Sequence, residues 1–285
     1  MKVLVTGANG MLGTATVEYL SSVGDDVIAL TKGDLDIADT ELVRNAVKSA
    51  SPDTVINCAA WTDVDGCETD HEKNYGVHAR GPENLAIACR EIGASLITVS
   101  TDYVFDGTKG GFYTQRDDPN PTSKYGSAKL AGERLAQAAL ARTMVVRVGW
   151  LFGSGGKNFL SKLPELLRSG QRLKVIADSY GTPTYAPDMA KRLRELAILD
   201  LPGIYHMANS GKGTSYAGFA RAIGEDSSLI EEVAAATLLR PAPRPQNSRL
   251  RCLLAEAIKL EPLPDWEEAL QHFVNQTAST EVASQ

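Results

Sequence analysis

No run of apolar residues in this chain approaches the ~18 needed to cross a bilayer, and the short apolar run within the opening MKVLVTG falls well below a signal-peptide core. A cytoplasmic protein with no membrane partner is the expectation. Cysteine is scarce. Cys58, Cys67, Cys89 and Cys252 are the four in 285 residues, and none forms a C-x-x-C pair, so they read as free thiols rather than a disulfide frame. The four histidines, His71, His78, His206 and His272, are scattered without an H-x-x-x-H pair, and no metal site is expected. Positive charge is not in excess either. The 29 Lys and Arg stand against 35 Asp and Glu, and a net charge of −6 gives no general attraction for nucleic acid or anionic lipid. Internal repeats and low-complexity tracts are absent. What remains is 43% hydrophobic and 22% charged, a globular composition that excludes a disordered chain. A chain of this length buries a core without staples, in one or two domains.

Short apolar runs rich in β-branched residues alternate with amphipathic segments. Lys2–Thr6, Val27–Leu30, Thr54–Cys58, Leu96–Ser100 and Met144–Val148 read as strands, with helices over Met11–Val23, Thr40–Ala50, His78–Ile92 and Ser123–Ala141. Continuous apolar strands alternating with helices predict an α/β fold: a Rossmann-like doubly wound parallel sheet covered on both faces. The pattern loosens after about residue 150, through Gly153–Gly156 and the proline-rich Arg240–Pro245. Helix signals return at Asp188–Leu199, Ser215–Ile223 and Trp266–Val274. Residues 1–150 are therefore expected to form the dinucleotide-binding domain. Residues 151–285 are expected to form mainly a smaller C-terminal substrate-binding lobe, some of whose segments return to the sheet, with a polar, frayed tail over 275–285.

The first strand runs directly into Gly7-Ala8-Asn9-Gly10-Met11-Leu12-Gly13, a G-x-x-G-x-x-G turn opening a helix. Gly7 permits a tight turn, Gly10 lets a backbone approach a pyrophosphate, and Gly13 lets helix and strand pack closely. The free N–H groups at a helix N-terminus suit the phosphates. No Gly-Lys-Ser/Thr follows, so a Walker loop is excluded. Past the second strand, Asp34–Ile37 lies where an adenine would sit, or is simply a solvated acidic loop. Lys32, at the end of that strand, is read as a partner for a 2′-phosphate, favouring NADPH with NADH as the alternative; a solvated lysine is the plainer reading.

A strand ending in Ser100-Thr101-Asp102-Tyr103 is followed by Tyr125-Gly126-Ser127-Ala128-Lys129 at a helix start. Tyr125 and Lys129 are four apart and share a helix face. The expectation is that the Lys129 ammonium lowers the Tyr125 phenol toward neutrality and makes it a usable general acid.

With these motifs in place, the chain resembles the extended short-chain dehydrogenase/reductases. It is most similar to the dTDP-4-dehydrorhamnose reductases. The matching blocks include GANGMLG, DLDIAD (34–39), NCAAWTDVD (57–65), STDYVFDG (100–107), YGSAKLAGE (125–133), VRVGWLFG (146–153) and GTPTYAPDMA (181–190). The resemblance implies a catalytic role for Thr101, Tyr125 and Lys129. It implies cofactor contacts from Gly10, Met11, Leu12, Asp36, Ile37, Ala60, Trp61, Thr62, Tyr125 and Lys129. Asp102, Tyr103 and Trp150, with Thr101, would line the sugar-nucleotide site, although Trp150 also reads as a core tryptophan. Asn247 and Ser248 resemble a nucleotide-side segment. Two positions depart from the family pattern: His78 stands where an asparagine is usual, and Ala15 where some members carry a glutamate that helps a dimer bind magnesium.

The implied activity is reduction of the 4-keto group of a dTDP-linked deoxysugar by NADPH, in a monomer or homodimer. A dehydratase or epimerase of the same fold is an alternative. Dehydratases commonly carry Asp-Glu after the threonine, where this chain has Asp102-Tyr103. A non-catalytic NADP-binding regulatory subunit is a second alternative, since such a relative can keep the tyrosine and lysine.

Overall fold

The computed structural model describes residues 1–283, and side chains through residue 278. Along the first half run β1 (Lys2–Thr6), α1 (Met11–Ser22), β2 (Asp26–Leu30), α2 (Thr40–Ala50) and β3 (Thr54–Asn57). After them come α3 (His71–Tyr75), a π turn (Gly76–Arg80), α4 (Gly81–Ile92), β4 (Ser95–Thr101), α5 (Lys124–Ala139) and β5 (Thr143–Val148). The second half contains β6 (Leu151–Phe152), α6 (Phe159–Arg168), β7 (Leu173–Ile176), β8 (Tyr180–Gly181), β9 (Thr184–Tyr185), α7 (Ala186–Leu199) and β10 (Gly203–His206). It closes with β11 (Thr214–Ser215), α8 (Tyr216–Ala222), β12 (Ile230–Val233), α9 (Leu253–Ala257) and α10 (Trp266–Ala283).

Six parallel strands form the central sheet in the order β10-β5-β4-β3-β1-β2. Alternation along β1 divides its side chains between two apolar layers. Val3 and Val5 join Leu12, Leu20, Met189 and Leu193 under α1 and α7, while Leu4 joins Val43, Val47 and Leu85 under α2 and α4. Burial on both faces explains why the strands read as unbroken apolar runs. The chain leaves β1 toward β2 on one side and returns through α2 to β3 on the other. That reversal opens a crevice at the carboxyl ends of β1 and β3, the ordinary ligand position in such sheets.

A separate apolar cluster, with Phe152, Leu163, Tyr185, Phe219, Trp266 and Phe273, holds α6, α8 and α10 together. α7 and β10 belong instead to the main sheet, where Met189, Leu193 and Tyr205 complete its core. β10 is a strand the apolar pattern alone did not mark, because its four residues, Gly-Ile-Tyr-His, are too short and mixed to stand out.

Two expected boundaries are corrected. The helix expected from His78 starts at His71, where the Asp70 side chain accepts from Lys73 N, and it widens into the π turn before α4. Pro82 has no N–H for the carbonyl four residues back, that of His78. A π turn at that point absorbs the lost bond. The tail expected to fray from residue 275 instead continues α10 to Ala283, with Tyr185 OH donating to Gln276 Oε1 at 3.0 Å. Residues 284–285 lie outside the described residues. Among the described residues no helix is long and apolar enough to cross a membrane.

Candidate active site

The glycine turn is a steric necessity. Gly7 has φ +67°, and a Cβ there would sit 2.6 Å from the backbone N and Cα of Ala59, on the loop leaving β3. A Cβ on Gly13 would lie 2.1 Å from the Gly7 carbonyl oxygen. α1 therefore begins in contact with the loop itself, with no side-chain cap on its first N–H groups and no acidic residue in its first turn. Those amides are left to face a cavity of about 710 Å³, lined by Gly10, Met11, Leu12 and Gly13. An uncapped helix start free of carboxylates, at the switch point of the sheet, fits the pyrophosphate of a dinucleotide.

Next to it lies a smaller cavity of about 220 Å³, where Gly7, Lys32, Asp36, Ile37, Ala60 and Trp61 come together. Asp36 is tied by Oδ1 to Ala38 N at 3.0 Å. Lys32 is exposed, and close to it the Asp34 carboxylate folds back to accept from Thr31 N (2.9 Å) and Thr31 Oγ1 (2.7 Å). The end of β2 thus carries an acid as well as a base. Lys73, which the sequence reading did not single out, lines this cavity with its Nζ 3.7 Å from the centre of the Trp61 ring.

At the other end of the larger cavity are Thr62, Thr101, Asp102, Tyr125, Lys129 and Trp150. β4 delivers Thr101 at its last residue. The Ser123 side chain caps α5 by accepting from Gly126 N, which sets Tyr125 and Lys129 in the first turns of that helix. α5 approaches closely because residue 126 is glycine: a Cβ there would be 2.3 Å from the Tyr103 carbonyl oxygen. Thr101 Oγ1 donates to Asp102 Oδ1 at 3.0 Å and accepts from Tyr103 N at 3.1 Å. Lys129 Nζ donates to the Val99 carbonyl at 2.8 Å.

The electrostatics of Tyr125 differ from the expectation. Burial pushes its phenol above the ordinary value, the Thr101 hydroxyl pulls it partly back, and Lys129 is not among the groups that shift it. The desolvation of a nine-tenths buried ring outweighs an ammonium turned toward Val99. Burial also brings Lys129 down to about 8, opposed by the Glu133 carboxylate one turn on. Asp102, 3% exposed, is pushed up to about 6 by burial, against hydrogen bonds from Ser248 and Thr101.

His78 stands edge-on to Tyr125, with ring centres 5.1 Å apart at 88°. Its Nε2 lies 3.0 Å from the Trp61 carbonyl oxygen, which can only accept, so Nε2 carries the hydrogen. Nδ1 is left a buried lone pair without a hydrogen-bond partner. Burial, and then Lys129, hold this imidazole neutral, down to about 3.

Trp150 is not a core residue. It is partly exposed, has φ +51°, and lines both the 710 Å³ cavity and a third one of about 370 Å³. Its indole stacks on Tyr216 with centres 3.9 Å apart and fits only because residue 181 is glycine, where a Cβ would lie 2.1 Å away. The third cavity also holds Tyr103, Tyr216, Arg240, Arg244 and Ser248. Arg244 pairs with Asp65 at 3.0 Å. Asn247, expected beside Ser248, is buried and spends its amide on the carbonyls of Lys109 and Gly111. Tyr216 and Arg240 went unnoticed in the sequence because their positions depend on the packing of the second cluster.

A Rossmann-like sheet whose glycine turn and Tyr-x-x-x-Lys helix face one cleft defines a short-chain dehydrogenase/reductase. The chain belongs, within that class, to the family described as RmlD substrate binding domain, whose model matches residues 1–279. It is 41% identical over 277 residues to a dTDP-4-dehydrorhamnose reductase of Streptomyces griseus, covering 94% of this chain and 91% of that one. Among solved structures, the dTDP-4-dehydrorhamnose reductase of Clostridium acetobutylicum matches with a TM-score of 0.92 at 35% identity, over 98% of this chain and 100% of the other. The Bacillus anthracis enzyme, solved in complex with NADP, matches equally well in TM-score (0.92) at 33% identity, over 97% and 100%.

Proposed function

We propose that this protein reduces the 4-keto group of dTDP-4-dehydro-6-deoxy-L-mannose with NADPH, giving dTDP-L-rhamnose. The observation that carries the reading is the position of Thr101, Tyr125 and Lys129. They lie in the cavity that begins at the glycine turn and ends at Trp150, the residue it shares with the arginine-lined third cavity. The dinucleotide would lie along the glycine turn with its adenosine end among Lys32, Asp36, Ile37 and Trp61. The sugar would reach Thr101 and Asp102 past Trp150 and Tyr103, with its nucleotide near Arg240 and Arg244.

Bound there, the reduced nicotinamide supplies the hydride. Tyr125 supplies the proton to the ketone oxygen. The phenol is protonated at neutral pH and so can donate, while burial, by raising it, opposes the transfer and the Thr101 hydroxyl partly offsets that cost. The Thr101 hydroxyl, once its one hydrogen turns from Asp102 Oδ1 to the substrate, is a second donor for the oxygen on which charge develops. Lys129, still largely charged at pH 7, has ammonium hydrogens beyond the one on Val99 for the ribose hydroxyls. Tyr103, its phenol held well above the ordinary value by burial, does not replace the second carboxylate of a dehydratase. The free state of all four cysteines supports a cytoplasmic location. The reading takes the enzyme as a monomer or homodimer with no nucleic-acid partner.

The test is a panel of nucleotide-linked 4-keto sugars assayed with NADPH and with NADH, each product identified by NMR. Turnover of the dTDP-linked 6-deoxy-4-keto sugar to the rhamnose product supports the reading, and cofactor binding with no turnover of any keto sugar refutes it.

A further inference from the structure

The loop between β6 and α6, Gly153-Ser154-Gly155-Gly156-Lys157-Asn158, supplies the second wall of the large cavity. Gly155, Gly156, Lys157 and Asn158 line it together with Asn9, Gly10 and Met11. The approach is close. A Cβ on Gly156 would lie 2.6 Å from the Met11 sulfur and 2.2 Å from Ser161 Oγ, and that hydroxyl is itself 3.5 Å from the Met11 sulfur. A side chain at 156 would have to displace the Met11 and Ser161 side chains, so the loop as it stands packs closely on the side chain of the first residue of α1. The loop is also built rather than slack. Gly156 N donates to the Gly153 carbonyl (3.2 Å), Gly153 N to Ser161 Oγ (3.2 Å), and Asn158 Nδ2 to the Leu151 carbonyl (2.9 Å).

Charge gives the loop its meaning. The turn Gly7–Gly13 contains no Lys or Arg, so its donors to a phosphate are neutral amides. The two cations lining the cavity are Lys129 and Lys157. Lys129 is buried and held on Val99. Lys157 is exposed at the mouth, and among the described residues it makes no hydrogen bond or ion pair. A pyrophosphate between the two glycine loops would meet amides on one side and this ammonium on the other.

We propose that Gly155–Asn158 forms the second jaw of a pyrophosphate clamp, in which Lys157 provides the cationic contact that the glycine turn lacks. This rests on reading the cleft as the dinucleotide site. A sugar nucleotide carries the same diphosphate chemistry, but Lys157 shares its cavity with Asn9, Gly10 and Met11. The neighbouring cavity has guanidinium groups of its own, Arg240 and Arg244.

The test is equilibrium titration of Lys157→Ala and Lys157→Arg with NADPH, NADH and dTDP at low and moderate salt. The clamp predicts that the Ala variant weakens NADPH and NADH alike, by about three- to tenfold, with the loss shrinking as salt rises. Lys157→Arg retains affinity, and dTDP binding is unchanged. An equal loss for both dinucleotides places the contact on the pyrophosphate they share. Unchanged dinucleotide affinity, a loss confined to NADPH (a 2′-phosphate contact), or a loss confined to dTDP overturns the proposal. Gly10→Val, titrated in parallel, tests the underlying reading separately: undiminished NADPH affinity in that variant means the cleft is not the dinucleotide site, whatever Lys157 does.

Discussion

At the scale of single residues, burial decides the chemistry. Tyr125 and Lys129 are recognisable in the sequence from their spacing, but their proton affinities are not, because desolvation depends on everything packed around them. The phenol is displaced upward and the ammonium downward, so each group is poised differently from what the pair alone suggests. Tyr125→Phe removes the proton donor and keeps the ring against His78. It should lower kcat by about 10²–10⁴-fold while NADPH affinity is retained; single-turnover rates of both forms check this, and near-equal rates contradict it. Asp102 makes a second prediction. Its folded value, near 6, lies above the ordinary 3.8, so between those values the folded state holds a proton that the unfolded chain has lost. The resulting stability is complete below about pH 4 and disappears as pH rises through about 6. At neutral pH the buried carboxylate costs about 2–3 kcal/mol. Asp102→Asn, which cannot ionise, should be more stable than the parent by that order at pH 7 and equal to it near pH 4. Urea midpoints at the two values measure the difference, and a stability gap independent of pH contradicts the assignment. Trp150 marks the limit of the sequence at this scale: nothing in VGWLFG announces a tryptophan at φ +51°, stacked on Tyr216 in the space left by the missing side chain of Gly181.

At the scale of elements, the first half was legible because local rules and tertiary structure agree there. β1, β3, β4 and β5 are apolar on both faces, and Ser123 and the glycine turn announce the helices that follow them. The reading failed where one residue alters the hydrogen-bond register. Pro82 removes a donor, and the helix responds with a π turn that presents the His78 carbonyl to α5. Gly132 receives it, since a Cβ there would lie 2.0 Å from that oxygen. Gly132→Ala therefore has to push α5, and Tyr125 and Lys129 with it, away from the π turn. The expected cost is about 1–3 kcal/mol of stability, accompanied by a fall in kcat. Denaturant melts with parallel assays test this; an unchanged kcat would mean α5 tolerates the shift without moving its catalytic residues. The second half was less legible because its short strands, β6 to β9, β11 and β12, pair over two to four residues and leave no periodic signal.

At the scale of the whole molecule, the sheet and the second apolar cluster meet around a set of adjoining cavities. The glycine turn follows one strand of the sheet and Thr101 ends another, and Tyr125 and Lys129 come from α5 packed on it, while Tyr216, Arg240 and Arg244 come from the later segments. Under the proposed function, hydride donor and keto sugar would approach Tyr125 from these adjoining cavities, which share Trp150. The direct measurement is isotope transfer: the protein is given dTDP-4-dehydro-6-deoxy-L-mannose and NADPH deuterated on the transferring position, and the product is examined by NMR and mass spectrometry. The account predicts dTDP-L-rhamnose carrying deuterium on carbon 4, with one NADPH oxidised for each sugar reduced. Recovery of unreduced sugar, or of product labelled at any other carbon, would contradict it.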